Sequence, residues 1–214
     1  MNGIKKALPP VKRIKSHLAA MAWADVPSFV GDLAQRDGVS ARTLEFIILT
    51  AARSGEARGA KWGEIDLAAK VWTVPAERMK RGVEHRVPLS PEALAVLERV
   101  RGLDRDFVFP STHRDGEGKV RAQSDMVFKS LLLRMNREGF TVHGFRSSFR
   151  DWCSESAHAQ REVAELALSH AVGNEVERAY ARSDMFERRR ALMERWAQFC
   201  SGRSAKVFQL GNGG

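Results

Sequence analysis

One tyrosine, Tyr180, stands in a chain of 214 residues that uses 11 phenylalanines and 5 tryptophans. Aromatic rings are therefore not scarce; the phenol is. Cysteine is almost as rare: Cys153 and Cys200 are the whole supply and form no C-x-x-C pair, which argues for reduced thiols and against a disulfide framework or a zinc site. No window approaches the roughly 18 apolar residues a membrane helix needs, and the basic opening "MNGIKKALPPVKRIK" has no apolar stretch behind it. The reading predicts neither membrane insertion nor secretion, and a cytoplasmic location. H-E-x-x-H, G-x-S-x-G and G-x-x-x-x-G-K are absent, so metalloprotease, serine hydrolase and P-loop chemistry have no motif behind them.

What the chain has in excess is positive charge. Lys and Arg number 35 against 26 Asp and Glu, a formal net charge of +9. Such a surface favours a polyanion, and nucleic acid is the commonest one. Hydrophobic residues at 43% rule out a disordered chain, and the length suits one main domain.

Residues 1–24 carry Pro9, Pro10 and five Lys or Arg with no sustained periodicity, and read as a basic linker or arm. Folding is expected from Asp25. From Ser40, taken as an N-cap, "ARTLEFIILTAARSGEARGAKW" predicts a largely buried helix with Leu44, Ile47, Ile48 and Ala51 in helical register. "KVWTVP" and "EHRVPLS" read as two strands joined by a basic loop or hairpin tip that carries Lys80. Helices are then expected behind Ser90 with Pro91 at N1, over 124–139, over "TVHGFRSSFRDWCSES", "QREVAELALS" and "NEVERAYARSD", and over 184–201, followed by a tail. The fold class is mainly α with a small antiparallel sheet, that is, α+β.

The candidate chemical residues are bland one at a time. In "HGFR", His143 and Arg146 fall three apart on one helical face, an arrangement that suits a phosphate. Arg53 sits at the predicted end of a buried helix, where a guanidinium needs a partner. Glu56 either pairs with it to close the helix or holds its fork outward toward a ligand. His170 ends "QREVAELALSH" as a C-terminal cap or as a functional imidazole, and Tyr180 follows ten residues later behind a Gly173 break and an Asn174 cap.

In this order, "TAARSGE", a lysine in a hairpin, "HGFR", "LSH" and "AYARSD" resemble the catalytic domain of the tyrosine recombinases, with phage-type integrases of bacterial prophages the nearest likeness. "WGEIDL", "VWTVPAERMK" and "HRVPLS" extend the resemblance from Ala24 to Cys200. It implies a tyrosine recombinase catalytic domain over 25–201 and a tail over 202–214, without the usual amino-terminal core-binding domain. It further implies that Arg53 and Arg146 clamp the scissile phosphate, that His143 and His170 donate or move protons, that Lys80 is the acid at the leaving group and that Tyr180 is the nucleophile. No metal or cofactor is implied. The partner is double-stranded DNA in a bacterial cytoplasm, and the residues from 184 onward pack either in cis or on a neighbouring copy in a tetramer.

Overall fold

The computed structural model describes residues 20–172 and 184–202. The arm before residue 20, the stretch 173–183 with Gly173, Asn174 and Tyr180, and the tail from 203 lie outside the described residues.

Packing begins before Asp25. Met21 is already buried and its carbonyl accepts from the Ser148 hydroxyl. A helix absent from the sequence reading, α1 (Val26–Ala34), buries Val26, Phe29, Val30 and Leu33. It leads into α2 (Val39–Thr50), where every residue from Ala41 to Thr50 is buried. Arg42 ties the two helices by donating from Nη2 to the carbonyls of Leu33 and Arg36, both at 2.7 Å, which satisfies acceptors left over at the end of α1. The N-cap of α2 is Gly38, at φ 96°, two places before the predicted Ser40, which lies inside the helix.

The long helix predicted from Ser40 does not run through. Ala51 turns left-handed at φ 51°, and α3 (Ser54–Arg58) restarts the helix with Arg53 at its N-cap. Three antiparallel strands follow in the order β1-β2-β3: β1 (Ile65–Asp66), β2 (Val71–Val74) and β3 (His85–Pro88). The sequence reading has β2 and β3 but not the two-residue β1, which is too short to show a period. Trp72 and Val74 face the core, alternating with half-buried Val71 and Thr73. Val74 pairs with His85, so Lys80 lies in a connection over 75–84, the loop among the two expected forms.

Next come α4 (Pro91–Val100), capped by the Ser90 hydroxyl accepting from the Ala93 amide at 3.1 Å, and α5 (Met126–Arg134). α6 (Gly144–Glu155), α7 (Arg161–Ala167) and α8 (Phe186–Cys200) complete the described elements. On α8, Leu192 and Trp196 are buried and Phe199 packs against them, so this apolar face is used within the chain. Trp196 stacks on Phe199, meets Phe149 edge-on and Trp152 at a tilt, and its indole N–H donates to the Ile48 carbonyl of α2 at 2.8 Å. Both cysteines are buried free thiols. No helix among the described residues is long and apolar enough to cross a membrane.

Candidate active site

Two left-handed turns build the site. The first, at Ala51, ends α2 and places Arg53 where its backbone amide would otherwise go unpaired. Glu56, one turn into α3, accepts from that amide at 3.0 Å and from Arg53 Nη1 at 2.7 Å. One buried carboxylate thus fixes both the backbone and the guanidinium of Arg53, and the ion pair anticipated in the sequence is a cap as well.

The second turn follows α7. Ser169 adopts φ 52°, its N–H donates to the Leu166 carbonyl at 3.0 Å, and the His170 N–H reaches back to the Glu165 carbonyl at 2.9 Å. This is a Schellman motif with serine in the place glycine usually takes. The turn aims two carbonyls sideways: Leu168 accepts from Arg146 Nη2 at 2.7 Å, and Ser169 accepts from Arg53 Nη2 at 3.4 Å.

Arg146 joins the two turns. It stands in the first turn of α6, behind His143 at the N-cap position, and only 5% of it is exposed. Its Nη1 donates to the Ala51 carbonyl at one turn, and its Nη2 donates to Leu168 at the other and lies 3.3 Å from His170 Nε2. Burial, then the charge of Arg53, lowers the pKa of Arg146 to about 10, which leaves it cationic at neutral pH. His143 is pushed below its ordinary value by burial and then by Arg146, Arg53, His170 and Lys80. The groups that depress it are the other described members of the set read from the sequence.

Arg53, Arg146, His143 and Lys80 line one open cavity of about 430 Å³, together with Arg58 and Arg78. The last two already have partners: Arg58 pairs with Asp125, which lines the same cavity, and Arg78 pairs with Glu64 and donates to the Glu56 carbonyl. Arg78 anchors the root of the 75–84 connection, leaving exposed Lys80 at the rim. His170 opens on an adjoining cleft shared with His85, Arg86, Asp184 and Arg189, and its contact with Arg146 connects the two spaces.

Five of the six predicted site residues are therefore gathered around Arg146, while Tyr180 lies outside the described residues. Asp184 is firmly tied. Asp184 Oδ2 accepts from Arg86 Nη2 at 2.8 Å and from Arg189 Nη2 at 2.7 Å, and Arg189 Nη1 donates to the Arg86 carbonyl at 2.6 Å. Sequence reasoning missed Arg78, Glu165, His85 and this Arg86–Asp184–Arg189 cluster. Only the last had a visible signal, the "RSD" of the motif.

A sequence model of the phage integrase family matches residues 25–187. Prophage integrase IntA of Escherichia coli (strain K12) is 40% identical over 153 residues, covering 70% of this chain and 36% of that protein. The integrase of Enterobacteria phage P4 is 29% identical over 214 residues, covering 91% of this chain and 48% of its own length. The chain spans about half or less of the length of these curated relatives. Among solved structures, the integrase from mycobacterium phage Brujita superposes with a TM-score of 0.64 at 20% identity, covering 91% of this chain and 66% of that one, a likeness of fold.

Proposed function

This chain belongs to the phage integrase family, and from that premise we propose that it cuts and rejoins double-stranded DNA in site-specific recombination through a covalent tyrosine intermediate. The observation that carries the reading is the convergence of Arg53, Arg146, His143 and Lys80 on one cavity, with His170 against Arg146 from the adjoining cleft and both arginines already fixed by carbonyls and a carboxylate.

A phosphodiester repels nucleophiles, so catalysis depends on cations in place before charge develops on the phosphoryl oxygens. Each well-placed donor is worth about 3 kcal/mol. Arg146 spends three of its five N–H donors on Ala51, Leu168 and His170. Two remain for a non-bridging oxygen, and the fork cannot swing away to find other partners. Arg53, held by Glu56 and Ser169, takes the second oxygen. Lys80, exposed at the rim, protonates the departing 5′-oxygen, while His143 supplies a donor from the start of α6.

Tyr180 Oη attacks phosphorus, the bond to the 5′-oxygen breaks, and the products are a 3′-phosphotyrosine and a free 5′-hydroxyl. Reversal by another 5′-hydroxyl rejoins the strand. A phenol suits both directions because it is more acidic than an alkyl hydroxyl and leaves more readily. No ATP is required, since the bond energy is conserved in the phosphotyrosine. In this reading four copies act together on DNA. Because the apolar face of α8 is buried in cis, contacts between copies fall to other surfaces or to the tail.

A nicked suicide substrate tests the proposal. The wild-type chain should form a protein–DNA adduct stable to denaturant, and Tyr180→Phe should form none. A folded wild-type chain that binds DNA in a salt-sensitive way yet gives no adduct would identify it instead as an integrase remnant that holds DNA without cutting.

A further inference from the structure

Glu165 has no place in the ordered set read from the sequence, and it precedes His170 by five residues, a spacing that separates two side chains on a continuous helix. The left-handed Ser169 changes this by folding residue 170 back over the last turn of α7. Glu165 Oε2 then lies 2.6 Å from His170 Nδ1. The other carboxylate oxygen accepts from Arg150 Nε and Nη2, each at 2.7 Å. Only 17% of the Glu165 side chain is exposed, so the carboxylate is gripped by a guanidinium fork on one side and an imidazole on the other. Across the ring, His170 Nε2 faces Arg146 Nη2 at 3.3 Å.

A guanidinium only donates. For both contacts to be hydrogen bonds, Nε2 must offer its lone pair to Arg146, and the imidazole proton must sit on Nδ1, where Glu165 receives it. We infer that Glu165 is a positioning residue, which fixes His170 in the Nδ1–H tautomer and through it holds Arg146 in register with the turn after α7. The run Arg150–Glu165–His170–Arg146 crosses twice between α6 and α7, so the clamp is assembled before any DNA arrives. This deepens the strand-transfer reading and rests on it, because the groups being positioned are those assigned there to the phosphate.

Histidine nitrogen shifts in the full chain labelled with 15N-histidine, measured above neutral pH, report the tautomer directly. Single-turnover adduct formation on the nicked substrate reports its use. The wild type should show His170 protonated at Nδ1 and bare at Nε2. Glu165→Ala should move the proton to Nε2 in a large fraction of molecules and slow adduct formation by roughly tenfold or more, as loss of an orienting carboxylate does elsewhere. Glu165→Gln keeps an oxygen that accepts from Nδ1–H, and should retain both the tautomer and most of the rate. A wild-type His170 protonated at Nε2 overturns the inference, as does a folded Glu165→Ala with unchanged spectrum and rate. If Glu165→Ala does not fold, the wild-type and Glu165→Gln spectra decide. If the wild type forms no adduct, the strand-transfer reading falls while the tautomer still decides the role of Glu165.

Discussion

His85 on β3 faces Arg189, Glu56 and Arg53 and is hydrogen-bonded to the Ala167 backbone. Burial first, and the charge of Arg189 second, push its pKa down to about 4. The unfolded chain binds this proton near pH 6.5, whereas the folded one resists it until near pH 4. Between those values the unfolded state holds more protons, so stability falls as pH falls. The share lost between pH 7 and pH 5 is about 2 kcal/mol. Urea unfolding at both pH values should show that much less acid destabilisation in His85→Gln than in the wild type; equal losses would exclude His85 as the source. Arg146→Lys keeps a charge but gives up the planar fork that reaches Ala51, Leu168 and His170 together. Adduct formation should fall by about 10²–10³-fold, the usual cost of removing a preorganised donor, with the fold checked by circular dichroism.

At the level of elements, the sequence disclosed what is periodic or capped and concealed what depends on isolated backbone angles. Ser90 with Pro91 announced α4, and the short β-branched run of "KVWTVP", closed by its proline, announced β2. The interruption of the long helix at Ala51 had no such signal, because alanine is the best helix former and nothing local favours its left-handed turn. The same holds for Ser169. Both breaks are paid for by tertiary bonds, since each exposes a carbonyl that Arg146 then occupies. The candidate site was legible as an ordered set of residue types, Arg53 through Tyr180, but the partners that hold its described members were not. Glu165 reaches His170 only because of the Ser169 turn, and Arg78 reaches Glu64 and Glu56 across 14 and 22 residues. Ser169→Val, a branched residue forced to positive φ, should therefore cost about 1–3 kcal/mol in chemical denaturation and weaken adduct formation as well. Ser169→Gly should be tolerated in both measurements. An unaltered Ser169→Val would mean that the turn does not hold the clamp.

For the whole molecule, the charge of +9 sets how it meets DNA before any chemistry. Affinity for duplex DNA should fall linearly on a log–log plot against salt, with a slope of about −0.9 for each phosphate neutralised. Fluorescence anisotropy across a salt series should show Lys80→Ala shallower by close to one such unit, and an unchanged slope would remove Lys80 from the DNA-facing surface. The order in which the chain is made brings a different constraint. Trp196 on α8 donates to a carbonyl 148 residues earlier, on the helix whose whole second half is buried. At about 5–20 residues per second on a ribosome, α2 emerges roughly 7–30 s before the helix that covers it. For that interval α2 has α1 and α4 to pack against but lacks the helix whose Trp196 caps the Ile48 carbonyl. A message broken before the codon for Phe186 would leave Phe149 and Trp152 without Trp196 and that carbonyl without its donor.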